Sequence, residues 1–290
     1  MKDLYDNITK SIIESLEGAD LEKWKKPWFD IGSAPYNALT QKPYRGINHV
    51  NLSLLSSYPK KAFASYKQWT EKECQVIKGS KGFPVVFWSF TENEETGKQS
   101  AFLKQYTVFN VAQVDGDFAR KLEQAPEKPL NTIEAIENAE TALQEYLVRE
   151  NIPLENSDTA AYWPRADKIT LPFIGQFGAK ESYYSTALHE ATHSTGHKNR
   201  LNRDLTGGFG SENYAKEELI AELGAAMLCG ALGISQTPRP DHAQYIASWL
   251  KALKNDNRLI FAASGKAQKA CDFILNGQSL EDKTPNPEPC

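Results

Sequence analysis

The five residues His189-Glu190-Ala191-Thr192-His193 limit what this chain can be more than any other stretch. The two histidines are four positions apart, so on a helix they share one face a single turn apart, and both imidazoles reach one ion. Glu190 points to the neighbouring side, where a carboxylate can hold a metal-bound water and take its proton. Neutral imidazole nitrogens are good zinc ligands, and zinc acidifies its bound water toward neutral pH. H-E-x-x-H on a helix is therefore the pattern of a zinc hydrolase. The alternative is a surface helix with an accidental histidine pair, and the surroundings argue against it. Ala187 and Leu188 precede the motif, Tyr183 and Tyr184 lie one turn upstream, and Gly196 stands where a helix closes in a left-handed cap.

Catalytic zinc keeps three protein ligands and an open position, so a third donor is needed. His197 is four residues beyond His193, but Gly196 breaks the helix before it and its ring need not face the ion. Metzincins place a histidine six residues after the second ligand, and that position here is Asn199. A glutamate from a later helix, as in Glu-type zincins, is the other source, and residues 217–228 supply it. Glu222 is a lone carboxylate among apolar and small residues; buried without a partner it would be costly, so a cation or strong donors should face it. Glu222 is the expected third ligand. Glu218, one turn earlier on the same face, is expected either to orient a histidine or to be a solvated cap at the positive end of the helix. His197 is placed beside the ligands rather than among them.

The rest of the composition says where such a site could sit. The four cysteines, 74, 229, 271 and 290, form no C-x-x-C, which excludes a cysteine zinc site and fits a reducing cytoplasm. No apolar run reaches membrane-spanning length, and the N-terminus does not read as a signal peptide. With 290 residues there is room for two domains. Charge is uneven: the chain carries −4 overall, yet residues 40–81 hold eight Lys/Arg and two Asp/Glu, net +6. A basic zone on an acidic chain points to a polyanion site on one domain only. Lys23-Trp24-Lys25-Lys26-Pro27-Trp28 mixes cations with indoles, and Tyr44, Arg45 and Trp69 also stand among lysines. Such mixtures suit phosphate neutralisation and base stacking, and core packing equally well.

In order, residues 3–17 repeat at helical spacing, 50–55 resume it, and 63–75 read as a short helix capped by Ser65. Residues 83–90 and 103–111 are strands on either side of a polar hairpin loop. The class is α+β: residues 1–125 form a small α+β domain with a curved antiparallel sheet. Residues 126–131, with Pro126 and Pro129, are the linker, and 132–290 form a mainly helical second domain. That domain opens with an amphipathic helix over 132–151, then short strands at 160–164 and 168–172. The second strand, at Ile169-Thr170-Leu171, is the expected edge for an extended peptide. The two motif helices follow, joined by a glycine-containing loop (199–214) long enough to line a cleft.

Several blocks, in this order, resemble one family. They are Lys26-Pro27-Trp28, Tyr44-Arg45-Gly46-Ile47-Asn48, residues 63–69, Lys78-Gly79-Ser80-Lys81-Gly82, residues 106–110, 189–200, 209–212 and 214–224. Over nearly its full length the chain resembles the ArdC-type antirestriction proteins of conjugative plasmids, and is similar to the N-terminal region of TraC-type primases. The resemblance implies a single-stranded-DNA-binding domain followed by a zincin-like metallopeptidase domain, and protection of incoming plasmid DNA from host restriction during conjugation. The candidate DNA-binding residues are then Lys25, Lys26, Trp28, Tyr44, Arg45, Asn48, Trp69, Lys78 and Lys81. Those of the metal site are His189, His193 and Glu222 as ligands, with Glu190 catalytic and Glu218 and His197 around them. The cofactor is Zn2+, or Mn2+ or another divalent ion. A cytoplasmic zinc peptidase whose first domain recruits a protein partner is the alternative, and a metal-stabilised scaffold without turnover is the third reading.

Overall fold

Ile8 and Ile12, spaced one turn apart, lie buried on one face of helix α1 (Lys2–Glu17). The computed structural model describes residues 2–17, 34–92, 99–127, 129–208, 211–235 and 242–277. The chain forms two compact units, one gathering Pro35–Glu127 with the start of the chain, the other holding Lys128–Glu281.

The first unit runs β1 (Tyr36–Asn37), α2 (Gly46–Leu55), β2 (Ala62–Ser65), α3 (Tyr66–Glu71), β3 (Gln75–Val76), β4 (Phe83–Glu92), β5 (Gln99–Asn110), β6 (Val114–Asp115) and α4 (Asp117–Gln124). Its main sheet has the order β1-β2-β5-β4, antiparallel except for the β1–β2 pair, while β3 and β6 pair separately. Side chains alternate across a strand, and β2 uses both faces. Ala62 and Ala64 pack with Trp69 and Val111, and Phe63 packs on the other side with Tyr44, Leu52 and Val85. Ser65 ends this strand and caps α3: its hydroxyl accepts from Gln68 N, and Gln68 Oε1 accepts from Ser65 N. The helix expected over 63–75 is thus shorter, because its first residues complete the sheet.

Helix α2 closes the outer edge of β4. The Asn48 carboxamide donates to Val86 O and accepts from Val86 N, both at 2.7 Å, and Asn51 donates to Pro84 O. A carboxamide offers the donor and acceptor of a peptide group, so it can stand in for a paired strand. The charged stretch beyond 115, at the end of the first domain, folds as α4. The Lys60 ammonium caps its C-terminal end by donating to the carbonyls of Leu122, Glu123 and Ala125.

The second unit runs α5 (Ile133–Glu150), β7 (Leu154–Asn156), β8 (Ala161–Trp163), β9 (Lys168–Leu171), α6 (Lys180–Ser194), α7 (Glu212–Leu232), α8 (His242–Asn255) and α9 (Leu259–Asn276). Its sheet order is β7-β9-β8. Residues 169–171, expected at the edge, are therefore the central strand, paired with β7 on one side and β8 on the other. The strand that faces α6 with an open edge is β8.

Helix α7 is buried along almost its whole length and packs against both α6 and α9. Ser211 caps its start, accepting from Tyr214 N, and Gly233 ends it in the left-handed conformation at φ +74°. Small residues make the α6 contact close: a Cβ on Gly224 would stand 2.5 Å from Thr192 Cγ2. Among the described residues no helix is long and apolar enough to cross a membrane.

Candidate metal centre

The motif histidines lie on α6 where it runs antiparallel to α7, so that His189 meets Glu222 and Glu218 while His193 meets Glu218 and Glu217. The two Nε2 atoms are 3.1 Å apart. Glu218 brings Oε1 to 3.3 Å from His193 Nε2 and Oε2 to 3.6 Å from His189 Nε2. Behind the rings, Glu222 Oε1 is 3.3 Å from His189 Nδ1, and Glu217 Oε1 is 3.3 Å from His193 Nδ1. Glu217 hydrogen-bonds His193 Nδ1 and favours the ring proton there, which turns the Nε2 lone pair of His193 inward, while Glu222 stands at ion-pair distance from His189 Nδ1. Two imidazole nitrogens and a carboxylate oxygen converge in the gap. Ligand atoms ~2.1 Å from one ion at tetrahedral angles stand roughly 3.4 Å apart. The separations here match that spacing, and His189, His193 and Glu218 form a group that could hold a metal ion.

Electrostatics agree with the geometry. Burial opposes a charged His193, but the carboxylates of Glu218 and Glu217 outweigh it and push its pKa up to about 10. Burial likewise opposes ionised Glu218 and Glu217, yet their histidine neighbours, with Arg203 beside Glu217, hold both below the usual carboxylate range.

Glu218, rather than the expected Glu222, is the carboxylate beside both Nε2 atoms, and Glu222 lies beside His189 Nδ1. Burial does not separate them, since both are inside. Helix α7 begins at Glu212, so Glu218 falls in its second turn, away from the polar start. The antiparallel register then sets Glu218 level with the gap between the imidazoles and Glu222 one turn on, behind His189. His197 lies beside Asp167 instead: its Nδ1 is 3.6 Å from Asp167 Oδ2. Asp167 is also bound by the Arg200 guanidinium and the Tyr162 hydroxyl. This cluster ties β8 to the turn that follows α6.

Arg203 is the contributor that sequence reasoning missed. Its guanidinium is buried and donates to both oxygens of Glu217 (2.9 and 2.7 Å), to Thr195 Oγ1 and to Thr192 O. It fixes the carboxylate that fixes His193. The available signal was charge: three buried glutamates on one helix need a cation, and the connecting loop carries Arg200 and Arg203. The catalytic candidate Glu190 is buried, and its Oε2 accepts the backbone N–H of Tyr162 at 2.9 Å. Beside it opens a cavity of about 270 Å³, lined by Tyr162, Glu190, His193, Leu205, Tyr214 and Glu218. The loop expected to line a cleft does so through Leu205.

The nine expected DNA-binding residues part company. Lys25, Lys26 and Trp28 lie outside the described residues, as does Trp24. Trp69 is wholly buried, its indole donating to Phe109 O, and Tyr44 is a core residue, its hydroxyl pushed up to about 12 by burial. Asn48 is spent on the β4 edge. None of these three can stack on a base without leaving the core. Arg45 is half-buried at the N-cap of α2, while Lys78 and Lys81 are exposed. Within the basic zone Lys60 and Lys61 are also buried, the latter on Ser56 O. Lysine count alone overstated the cationic surface.

Two histidines and a glutamate from antiparallel helices, beside an edge strand that touches the motif glutamate, define a zincin-like metallopeptidase domain, and residues 138–266 match that family's model. Residues 2–109 match the N-terminal domain of the anti-restriction factor ArdC. The chain belongs to the ArdC antirestriction family. It is 37% identical to ArdC of plasmid R388 in its metal-free crystal structure, over 94% of this chain and 96% of that one, with a TM-score of 0.75. The Mn(II)-bound structure of the same protein gives 36% identity over 97% and 99%, and again 0.75. An uncharacterised protein, y4eC of Sinorhizobium fredii, is 38% identical over 96% of this chain and 93% of its own length. DNA primase TraC of Escherichia coli is 38% identical over 94% of this chain, which spans only 27% of the primase.

Proposed function

We propose that this protein protects incoming plasmid DNA from host restriction during conjugation. Its first unit binds single-stranded DNA with little sequence preference, and its second unit holds a divalent ion on His189, His193 and Glu218. The observation that carries the metal reading is the convergence of two Nε2 atoms and one carboxylate, with Glu217 hydrogen-bonded behind His193 and Glu222 close behind His189. Two imidazoles and a carboxylate suit zinc, and the Mn(II)-bound relative makes manganese the other choice. An ion held there supplies an acidified water and a Lewis acid for a carbonyl.

The chain's own residues do the rest. Glu217 holds the ring proton of His193 at Nδ1, and Glu222 places negative charge beside His189 Nδ1. Glu190 takes and returns a proton, its carboxylate oriented by the Tyr162 N–H. A peptide lies along β8, the edge beside Glu190, rather than along β9, whose backbone is already paired. Support for the DNA reading is the ArdC N-terminal domain match, and the region shared with a DNA primase.

The test is Glu190→Ala in cells and in vitro. Metal content should stay at the wild-type level, and any metal-dependent peptide cleavage should vanish. If antirestriction persists in this variant, peptide hydrolysis is not the protective step. Loss of bound metal from Glu190→Ala would make Glu190 a ligand instead of the proton carrier.

A further inference from the structure

Away from the metal centre, the first unit contains a cavity of about 600 Å³, within the ~300–1,000 Å³ span of small-ligand sites. One wall is the turn Gly79-Ser80-Lys81-Gly82, and the other is formed by Leu55 at the end of α2 with Ser57 and Tyr58 beyond it. We propose that this cavity is a nucleotide subsite, with a phosphate held at the lysine-bearing glycine turn and its base against Tyr58 and Phe83. The proposal rests on the single-stranded-DNA reading of this unit and names where the strand is gripped.

The turn is built rather than loose. Ser80 N donates to Ile77 O, Ile77 N donates to Gln113 O, and the Gln113 side chain donates to Lys81 O at 2.8 Å. Gln113 is itself locked in a reciprocal cap with Asn110. Both glycines have a steric reason. Gly79 sits at φ +89°, with nothing within 4 Å of where a Cβ would be, so the turn faces open space. At Gly82 a Cβ would stand 2.3 Å from Thr107 Cγ2, so only glycine lets the turn lie this close to β5.

The chemistry of the cavity selects its ligand. Lys81 lines it and Lys78 is adjacent in the turn; both are exposed, and neither has an ion-pair partner among the described residues. By contrast Lys60 and Lys61 are consumed by backbone carbonyls. No carboxylate is among the described lining residues. Tyr58 and Phe83 both line it, edge-to-face at 6.3 Å, and Phe83 is braced the same way by buried Phe63 at 5.6 Å. Lysines that meet phosphate beside a firm aromatic surface that meets a base are the two parts of sequence-tolerant single-strand binding.

The experiment is fluorescence anisotropy of a labelled mixed-sequence oligodeoxynucleotide with the full chain, repeated across a salt series. Lys78→Ala/Lys81→Ala should bind about tenfold more weakly, and its log–log salt slope should fall by ~1.4, about 0.7 for each phosphate no longer neutralised. Tyr58→Ala should weaken binding while leaving the slope unchanged, because stacking releases no counterions. Lys42→Ala/Lys67→Ala, exposed lysines outside the cavity, is the control and should change little. Equal weakening in the control pair means diffuse charge and overturns the subsite. Wild-type affinity in the Lys78/Lys81 pair overturns it too, while leaving DNA binding intact. Displacement of the oligonucleotide by polyglutamate at equal charge overturns the nucleotide assignment in favour of an acidic peptide. No binding by the wild type removes the DNA reading itself, and this proposal with it.

Discussion

His189 and His193 announce a metal at the residue scale, but the third donor depends on which of two buried glutamates stands level with them. The geometry makes a sharp division. Glu218→Ala should abolish tight metal binding, measured by metal content after dialysis. Glu222→Gln should weaken it only ~10–100-fold, the usual effect of losing a carboxylate behind a ligating histidine. The opposite order would restore Glu222 as the ligand. Arg203 is the second test at this scale. Arg203→Ala leaves Glu217 as a buried carboxylate without its guanidinium, which should cost about 3–5 kcal/mol in chemical unfolding. Metal affinity should fall too, because His193 loses its brace. A variant of wild-type stability would show that water takes over from the guanidinium. The motif glutamate and histidines were legible because their spacing is local. Glu218, Arg203 and His197 were not, because their partners lie on other elements.

At the scale of elements, the metal centre is a helix pair held at short range. Gly224 meets Thr192 with no room for a methyl group. Gly224→Ala should therefore push α7 from α6, cost about 1–3 kcal/mol as overpacking does, and weaken metal binding although no ligand has changed. Unchanged affinity would show that the helices shift without moving Glu218. In the first unit, Asn48→Ala leaves both polar groups of Val86 unpaired, and should cost about 2 kcal/mol or more, read from a denaturant midpoint. The elements themselves were largely readable: strands 83–90 and 103–111, the Ser65 cap, the helix over 132–151. The strand order was not. Ile169-Thr170-Leu171 has the look of any short strand, and only its two neighbours make it central.

For the whole molecule, two units with separate cores imply that metal stabilises one of them. Chelation should lower the thermal transition of the second unit and leave that of the first in place, since only a state that binds the ion is stabilised by it. A shift in both would mean that the units unfold together. Acid should act on the first unit through His49. Burial drives its pKa down from 6.5 to about 4, partly offset by a bond to the Tyr44 backbone. The folded form therefore keeps His49 neutral while the unfolded chain takes a proton below pH 6.5. Stability is full above that value, falls as pH drops toward 4, and then levels. The loss is about 3 kcal/mol, and His49→Gln should flatten that part of the profile. An unchanged slope would assign acid sensitivity to other groups.

By itself the sequence determined that two histidines and a glutamate with the spacing of a metal site share one helix, and that a basic α+β unit precedes a helical one. These follow from periodicity, composition and local spacing, which short-range geometry fixes. Only the tertiary structure decided that Glu218 lies beside both Nε2 atoms and Glu222 beside His189 Nδ1, that β8 is the open edge, and that Trp69, Tyr44 and Asn48 serve the core. Each of those outcomes depends on the register between elements far apart in the chain. That register is set by whole packed faces, such as Gly224 against Thr192, rather than by any one residue.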